Sequence, residues 1–215
     1  MRVLSISLFG RCLALPDFPE SQEITGLGMT DSEGYACALR KKFHYLNTYY
    51  HQEPRLDISS KEVPSDLIGS ADFIISSEVF EHVIPPVSLA FENVWKMLKP
   101  GGAFILTVPY GTQPDTIEHF PELNEFEIIE ENGSYSLRNV TKDGTLQEFG
   151  DLVFHGGPGS TLEMRVFAEA ALPKHLQSAG FEAIEVHRTP DLAHGIAWPE
   201  PWSFPISAIK PASHT

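Results

Sequence analysis

Between residues 71 and 110 the apolar positions change rhythm twice. Ala71–Ser76 is a short apolar run of strand length, and Ala103–Val108 is another. Between them Val87, Ala90, Phe91, Val94, Trp95 and Leu98 recur at spacings of three and four, with Glu92, Asn93, Lys96 and Lys99 on the opposite side. That pattern predicts one amphipathic helix with a single buried stripe. Pro100-Gly101-Gly102 stops the helix and turns the chain back. A strand, a helix and a second strand make a parallel pair with a right-handed crossover. Ligands of open parallel sheets bind beyond the carboxyl ends of the strands, which puts Ser77–Val83 at a binding edge.

The flanks extend the alternation. Val3, Leu4, Ile6, Leu8, Phe9, Leu13 and Leu15 predict an N-terminal helix within residues 1–20, ended by Pro16 and Pro19. Gln22–Thr25 reads as a short strand entering a loop at Gly26–Asp31, and Tyr35–Phe43 as a helix. Tyr45–Tyr50 is β-rich, Pro54 breaks it, and Arg55–Ile58 resumes as an extended segment. Beyond Tyr110 the character shifts to hairpins, with strands at Phe126–Ile129 and Tyr135–Val140 around Asn132-Gly133 and a second turn at Asp143-Gly144. His155–Gly159 is a tight, glycine-rich loop. Leu172, Leu176 and Ala179 mark a helix stopped by Gly180, and Phe181–Val186 and Phe204–Ile209 are closing strands.

Composition narrows the class. A chain of 215 residues suits one domain spanning 1–215. A net charge of −14 argues against a nucleic-acid partner and against an anionic membrane surface. Cys12 and Cys37 are too few for a disulfide framework or a cysteine metal site, so a cytoplasmic location and no metal are expected. No apolar run approaches the length of a membrane span, and Met1–Leu15 lacks a small-residue cleavage site and reads as a helix.

SSEVFEHV, followed by LKPGG and a strand ending in VPY, resembles class I S-adenosylmethionine-dependent methyltransferases. The resemblance implies a Rossmann-like α/β fold: a seven-stranded sheet with helices on both faces and a last strand inserted antiparallel. Residues 111–165 are then an insertion of antiparallel hairpins after the fifth strand, where this family commonly builds a substrate lid. GLGMTD, FHYLNTYYHQEPRLDI and FHGGPGSTLEMRVF together resemble a subgroup often found alongside glycosyltransferases, which implies a small-molecule or sugar-containing acceptor. The implied cofactor is S-adenosyl-L-methionine, and the implied reaction is methyl transfer, at oxygen.

Candidate residues follow from the motifs. Gly26 and Gly28 would let backbone approach the methionine part of the cofactor, with Leu27, Thr30 and Asp31 in the same segment. The family's acidic residue two places before the first glycine is Ile24 here, and a third glycine is Thr30, so Thr30 or Asp31 is expected to supply polar contacts. The ribose acid expected at the second strand is displaced; Asn47, Thr48, His51 and Glu53 are its candidates, with Asn47-Thr48 favoured. Asp57 and Ile58 resemble the segment near the adenine, and Ser77, Glu78 and Val79 floor the pocket. For proton removal from an acceptor hydroxyl the candidates are His82, His119 and His155, since histidine titrates in the useful range. Glu163 and Arg165 would bind a polar acceptor or pair with each other. Two other readings compete: a catalytically inactive S-adenosylmethionine-binding module, and a nicotinamide-dependent dehydrogenase. The missing third glycine, LKPGG and the antiparallel closing strand argue against the latter.

Overall fold

A computed structural model describes residues 1–198 and 200–212. A short N-terminal helix, α1 (Arg2–Phe9), leads through a 3₁₀ turn at Leu15–Asp17 to β1 (Ser21–Met29), α2 (Glu33–Lys42), β2 (Phe43–Thr48), β3 (Ala71–Ser77), α3 (Ser88–Met97) and β4 (Leu98–Thr107). The intervening strands are β5 (Tyr110–Gly111), β6 (Ile117–Glu118), β7 (Glu125–Glu131), β8 (Ser134–Val140), β9 (Leu146–Phe149), β10 (Phe154–His155), β11 (Thr161–Leu162) and β12 (Arg165–Ala168). Helix α4 (Leu172–Ser178) and strands β13 (Glu182–Val186) and β14 (Ile206–Ile209) close the chain.

The main sheet runs β13-β14-β4-β3-β1-β2. β2, β1, β3 and β4 are mutually parallel, and β14 pairs antiparallel with β4. Helices α1 and α2 cover one face through Val3, Leu4, Ala36 and Leu39 against Phe73, Ile75 and Ile105. Helices α3 and α4 cover the other through Phe91, Val94, Leu172 and Leu176 against Ile74, Phe104 and Leu106. This is the Rossmann-like α/β methyltransferase fold with a mixed main sheet and additional small sheets, as the β-α-β pattern predicts.

Among the described residues the main sheet has six strands rather than seven. The extended segment expected at Arg55–Ile58 makes one bridge, Tyr49 to Arg55, and adds no strand to the sheet. Pro54 has no N–H to donate, and the segment instead buries Leu56 and Ile58 against the core. Helix α1 ends at Phe9, short of the expected Leu15, because Gly10 takes a left-handed conformation (φ 66°) and its N–H caps onto the Ile6 carbonyl. The glycine pair also moves. Gly26 and Gly28 lie within β1, not in a loop after it.

Residues 111–165 carry the expected hairpins: β7, β8 and β9 form an antiparallel sheet turned at Asn132-Gly133 and Asp143-Gly144. Their apolar side packs as a separate small core of Phe120, Leu137, Leu162 and Met164. Strands β6 and β12 pair antiparallel, and β10 pairs with β11.

Candidate functional site

The carboxyl ends of β1, β2, β3 and β4 form one edge, and the site is built on it. The strand ending β3 is followed by Glu78 in a left-handed conformation (φ 54°) and a 3₁₀ turn at Phe80–His82. The insertion docks on that turn through backbone and buried side chains. Met164 N–H donates to the Glu81 carbonyl at 2.8 Å. Arg165 is fully buried; its Nη1 donates to the Phe80 carbonyl at 2.6 Å and its Nε to Glu118 at 2.7 Å.

This docking brings the predicted histidines together. His119 Nε2 lies 2.9 Å from one oxygen of Glu163, and His155 Nε2 lies 3.0 Å from the other. A carboxylate can only accept, so both rings donate from Nε2 to Glu163. His155 packs edge-on against His82, with ring centroids 4.7 Å apart. His82 is half-buried, and burial lowers its pKa, which favours the neutral ring. Glu81 beside it is fully buried, and desolvation pushes its pKa up to about 8. Arg165 does not pair with Glu163 as one sequence reading had it. Its partner is Glu118, and it is sealed away from the site's open side.

The cofactor candidates sort into two groups. In the first, the polar groups are already used. Asn47 accepts from Asp31 N–H and donates to the Asp31 carbonyl, each at 2.9 Å, and Thr48 donates to the Gly28 carbonyl at 2.8 Å. These two residues brace the turn that follows β1. The Asp31 carboxylate, expected to meet the cofactor, accepts from Tyr35 at 2.6 Å and from Tyr45. Its desolvation raises its pKa. Asp57 accepts from the N–H and hydroxyl of Ser59 at 2.9 and 2.6 Å, a local turn, and Asn93 of α3 clasps the Ile58 carbonyl at 2.9 Å. A Cβ on Gly26 would strike the Phe73 ring, and one on Gly28 would strike Tyr45 and Asp31. These glycines make room for the protein's own side chains.

The second group is more exposed, although Ser77 shares a hydrogen bond with Thr107 at 2.8 Å and Glu78 accepts from Ser203 at 2.7 Å. Thr30, Ser77 and Glu78 are exposed at the strand ends, and Val79 is half-buried beside them. A cavity of about 280 Å³ sits next to them, lined by Ser76, Ser77 and Thr107 from the sheet, Val3 and Leu4 of α1, Tyr35 and Trp198. Three buried polar atoms of residues lining this cavity, Arg2 Nε, Ser76 Oγ and Trp198 Nε1, have no hydrogen-bond partner among the described residues. Apolar walls with a few unsatisfied polar atoms suit a ligand with apolar and polar parts. Of the residues lining this cavity, Ser76 and Ser77 at the strand end and Trp198 offer polar groups that would suit S-adenosylmethionine. Sequence reasoning missed Ser76, Trp198 and the burial of Glu81. A serine at an inward position of an apolar strand, and an acid between Phe80 and Val83, were the available signals.

No helix among the described residues is long and apolar enough to cross a membrane. Residues 38–106 match the model of a methyltransferase domain family. No curated protein matches the chain. Among solved structures, an S-adenosylmethionine-dependent methyltransferase from Mesorhizobium loti superposes with a TM-score of 0.54 at 17% identity, over 89% of this chain and 93% of that one. A 1,6-didemethyltoxoflavin N1-methyltransferase from Burkholderia thailandensis, solved with S-adenosylhomocysteine, gives 0.53 at 14% identity over 98% and 76%. The sugar N-methyltransferase KedS8 from Streptoalloteichus gives 0.50 at 10% identity over 88% and 81%. The chain therefore has the fold of the S-adenosylmethionine-dependent methyltransferases, and its residues 38–106 match a methyltransferase domain family.

Proposed function

We propose that this chain is a methyltransferase that acts on a small, polyhydroxylated acceptor, sugar-containing by its subgroup resemblance, and methylates it at oxygen. The observation that carries the reading is the convergence of His119, His155 and Glu163 from the insertion onto the turn that follows β3. When bound, S-adenosylmethionine supplies a methyl group already activated by its sulfonium, so the chain's own task is to position the acceptor and take its proton.

Glu163 accepts from both histidines, which fixes each ring and leaves each with its lone pair at Nδ1. A neutral ring held this way can remove a hydroxyl proton, and the resulting imidazolium is stabilised by the carboxylate behind it. Residues 111–165 act in this reading as the substrate lid, and residues 1–215 as one catalytic domain. Two neighbours by fold are methyltransferases of small molecules, one of 1,6-didemethyltoxoflavin and one of a sugar. Both of those are N-methyltransferases; the case for oxygen rests on the histidine–carboxylate cluster, since a hydroxyl needs a base.

The test uses radiolabelled S-adenosylmethionine and a panel of nucleotide sugars, free sugars and phenolic or amine acceptors. Label transfer to a hydroxylated member, lowered about 10²–10⁴-fold in His155→Ala with S-adenosylhomocysteine affinity retained, supports the reading. Transfer to amines alone, or full activity in both His155→Ala and His119→Ala, overturns it.

A further inference from the structure

The geometry points to a divalent-metal site of the zinc class formed by Glu81, His82 and His155. Each offers one ligand atom, and the three atoms lie within 4.8 Å of one another. They come from two segments held in register by Met164 N–H to the Glu81 carbonyl and by His82 to the Leu162 carbonyl, both 2.8 Å.

The hydrogen bonds set the tautomers. A backbone carbonyl can only accept, so His82 carries its proton on Nδ1 and presents a lone pair at Nε2. That lone pair faces Glu81 Oε1 at 3.6 Å, too far for a hydrogen bond. His155 donates from Nε2 to Glu163, which leaves its other ring nitrogen free to ligate. Both rings therefore have the carbonyl or carboxylate behind them that orients a metal-binding histidine.

Glu81 supplies the independent sign. Its side chain is 1% exposed, and neither carboxylate oxygen has a hydrogen-bond partner among the described residues. Buried polar atoms of native proteins are almost always satisfied, and an orphaned carboxyl is costly. Arg165, the buried cation of this region, spends Nε on Glu118 and Nη1 on the Phe80 carbonyl, and its remaining Nη2 makes no hydrogen bond to Glu81. A cation between Glu81 and His82 would satisfy both. Two imidazoles and one carboxylate suit zinc with a fourth position open, and they are too nitrogen-rich for magnesium or calcium.

The role of this cation rests on the methyl-transfer reading above: Glu81, His82 and His155 would hold it, and it would supply Lewis acidity toward an acceptor hydroxyl. That O–H breaks, with the proton leaving to His119; an oxygen lone pair forms the new bond to the methyl carbon. The C–S bond breaks with its electron pair returning to sulfur. Of the two rings held by Glu163, His155 would then ligate and His119 would be left to take the proton, so His155→Ala still lowers turnover.

The test uses tag-free full-length protein stripped with EDTA and dialysed. Zn²⁺ is titrated by calorimetry and Co²⁺ by visible absorption. The site predicts one Zn²⁺ per chain, a tetrahedral-type Co²⁺ spectrum, and at least ~100-fold weaker binding in Glu81→Gln, His82→Gln and His155→Gln. His194→Gln, which disables the exposed Cys12–Asp191–His194 grouping, should bind as wild type. No stoichiometric Zn²⁺, undiminished binding in folded Glu81→Gln, or loss in His194→Gln would overturn the site. The wild-type Co²⁺ spectrum decides even where a variant fails to fold. Titration of S-adenosylhomocysteine into the same metal-free protein reports on the methyl-transfer reading separately.

Discussion

Gly28→Ala should destabilise the fold, and the damage should be partly repaired by a second change at Tyr45. Gly28 lies within β1, paired with Asn47 of β2. A Cβ there would fall inside 3 Å of both the Tyr45 hydroxyl and the Asp31 carboxylate. Tyr45 is 7% exposed and its ring stacks on Phe73 at 5.9 Å, so it has little room to withdraw. Overpacking of this kind costs about 1–3 kcal/mol. Displacing the tyrosine also breaks its hydrogen bond to a buried carboxylate, worth roughly 1.5–3 kcal/mol. The sum is about 2.5–6 kcal/mol, and at roughly 2–4 °C per kcal/mol for a chain of this size the melting temperature should fall about 5–24 °C. Tyr45→Phe removes the nearest atom, so the double variant should lose at least ~1 kcal/mol less than the two single variants combined. Urea denaturation of all four proteins measures the cycle. A Gly28→Ala protein as stable as wild type that no longer binds S-adenosylhomocysteine would refute the packing argument and return the glycine to the cofactor.

Other consequences are as concrete. Ser76→Ala removes an orphaned buried hydroxyl, so stability should hold or rise by up to about 1 kcal/mol while S-adenosylhomocysteine binds about 2–10-fold more weakly; calorimetry with a thermal melt reads both. Arg165→Met keeps the side chain's bulk but loses the ties to Glu118 and the Phe80 carbonyl, and should cost about 2–4 kcal/mol in urea denaturation with earlier proteolysis within residues 111–165. His175 lies flat on Phe91 at 5.4 Å, and burial lowers its pKa. The unfolded chain then binds the extra proton, so this contribution is complete above about pH 6.5 and shrinks as pH falls through that value. Wild type should therefore lose more stability between pH 7 and pH 5 than His175→Phe does; equal slopes would contradict the assignment.

The β-α-β core was legible because its signals are local. Ala90, Phe91 and Val94 sit on one helical stripe, and Ile74 and Ile105 lie in strands buried on both faces, so periodicity alone located them, although the helix ends at Met97 and Leu98 with Pro100-Gly101-Gly102 already belongs to β4. The hairpins at Asn132-Gly133 and Asp143-Gly144 were equally plain, because their turn residues demand positive φ. Arg55–Ile58 has strand-like composition, but after the single bridge from Tyr49 to Arg55 it turns to bury Leu56 and Ile58 instead of pairing along β2. The glycine pair misled for a related reason: a motif marks missing side chains without saying what fills the space. Only the fold shows Phe73, Tyr45 and Asp31 there. His82, His119, His155 and Glu163 could be named from composition, but their meeting depends on how the insertion docks, through Arg165 and Met164, onto the turn at Phe80–His82. Those contacts span up to 85 residues and leave no local pattern.

The central claim is a cofactor edge at the ends of β3 and β4 serving methyl transfer. Isothermal titration of S-adenosylhomocysteine into wild-type and Ser76→Ala protein, with NADH as the comparison ligand, tests it most directly. The account predicts one S-adenosylhomocysteine per chain, weaker binding in Ser76→Ala, and no heat from NADH. Saturable NADH binding without S-adenosylhomocysteine binding, or no binding of either to folded protein, would contradict it.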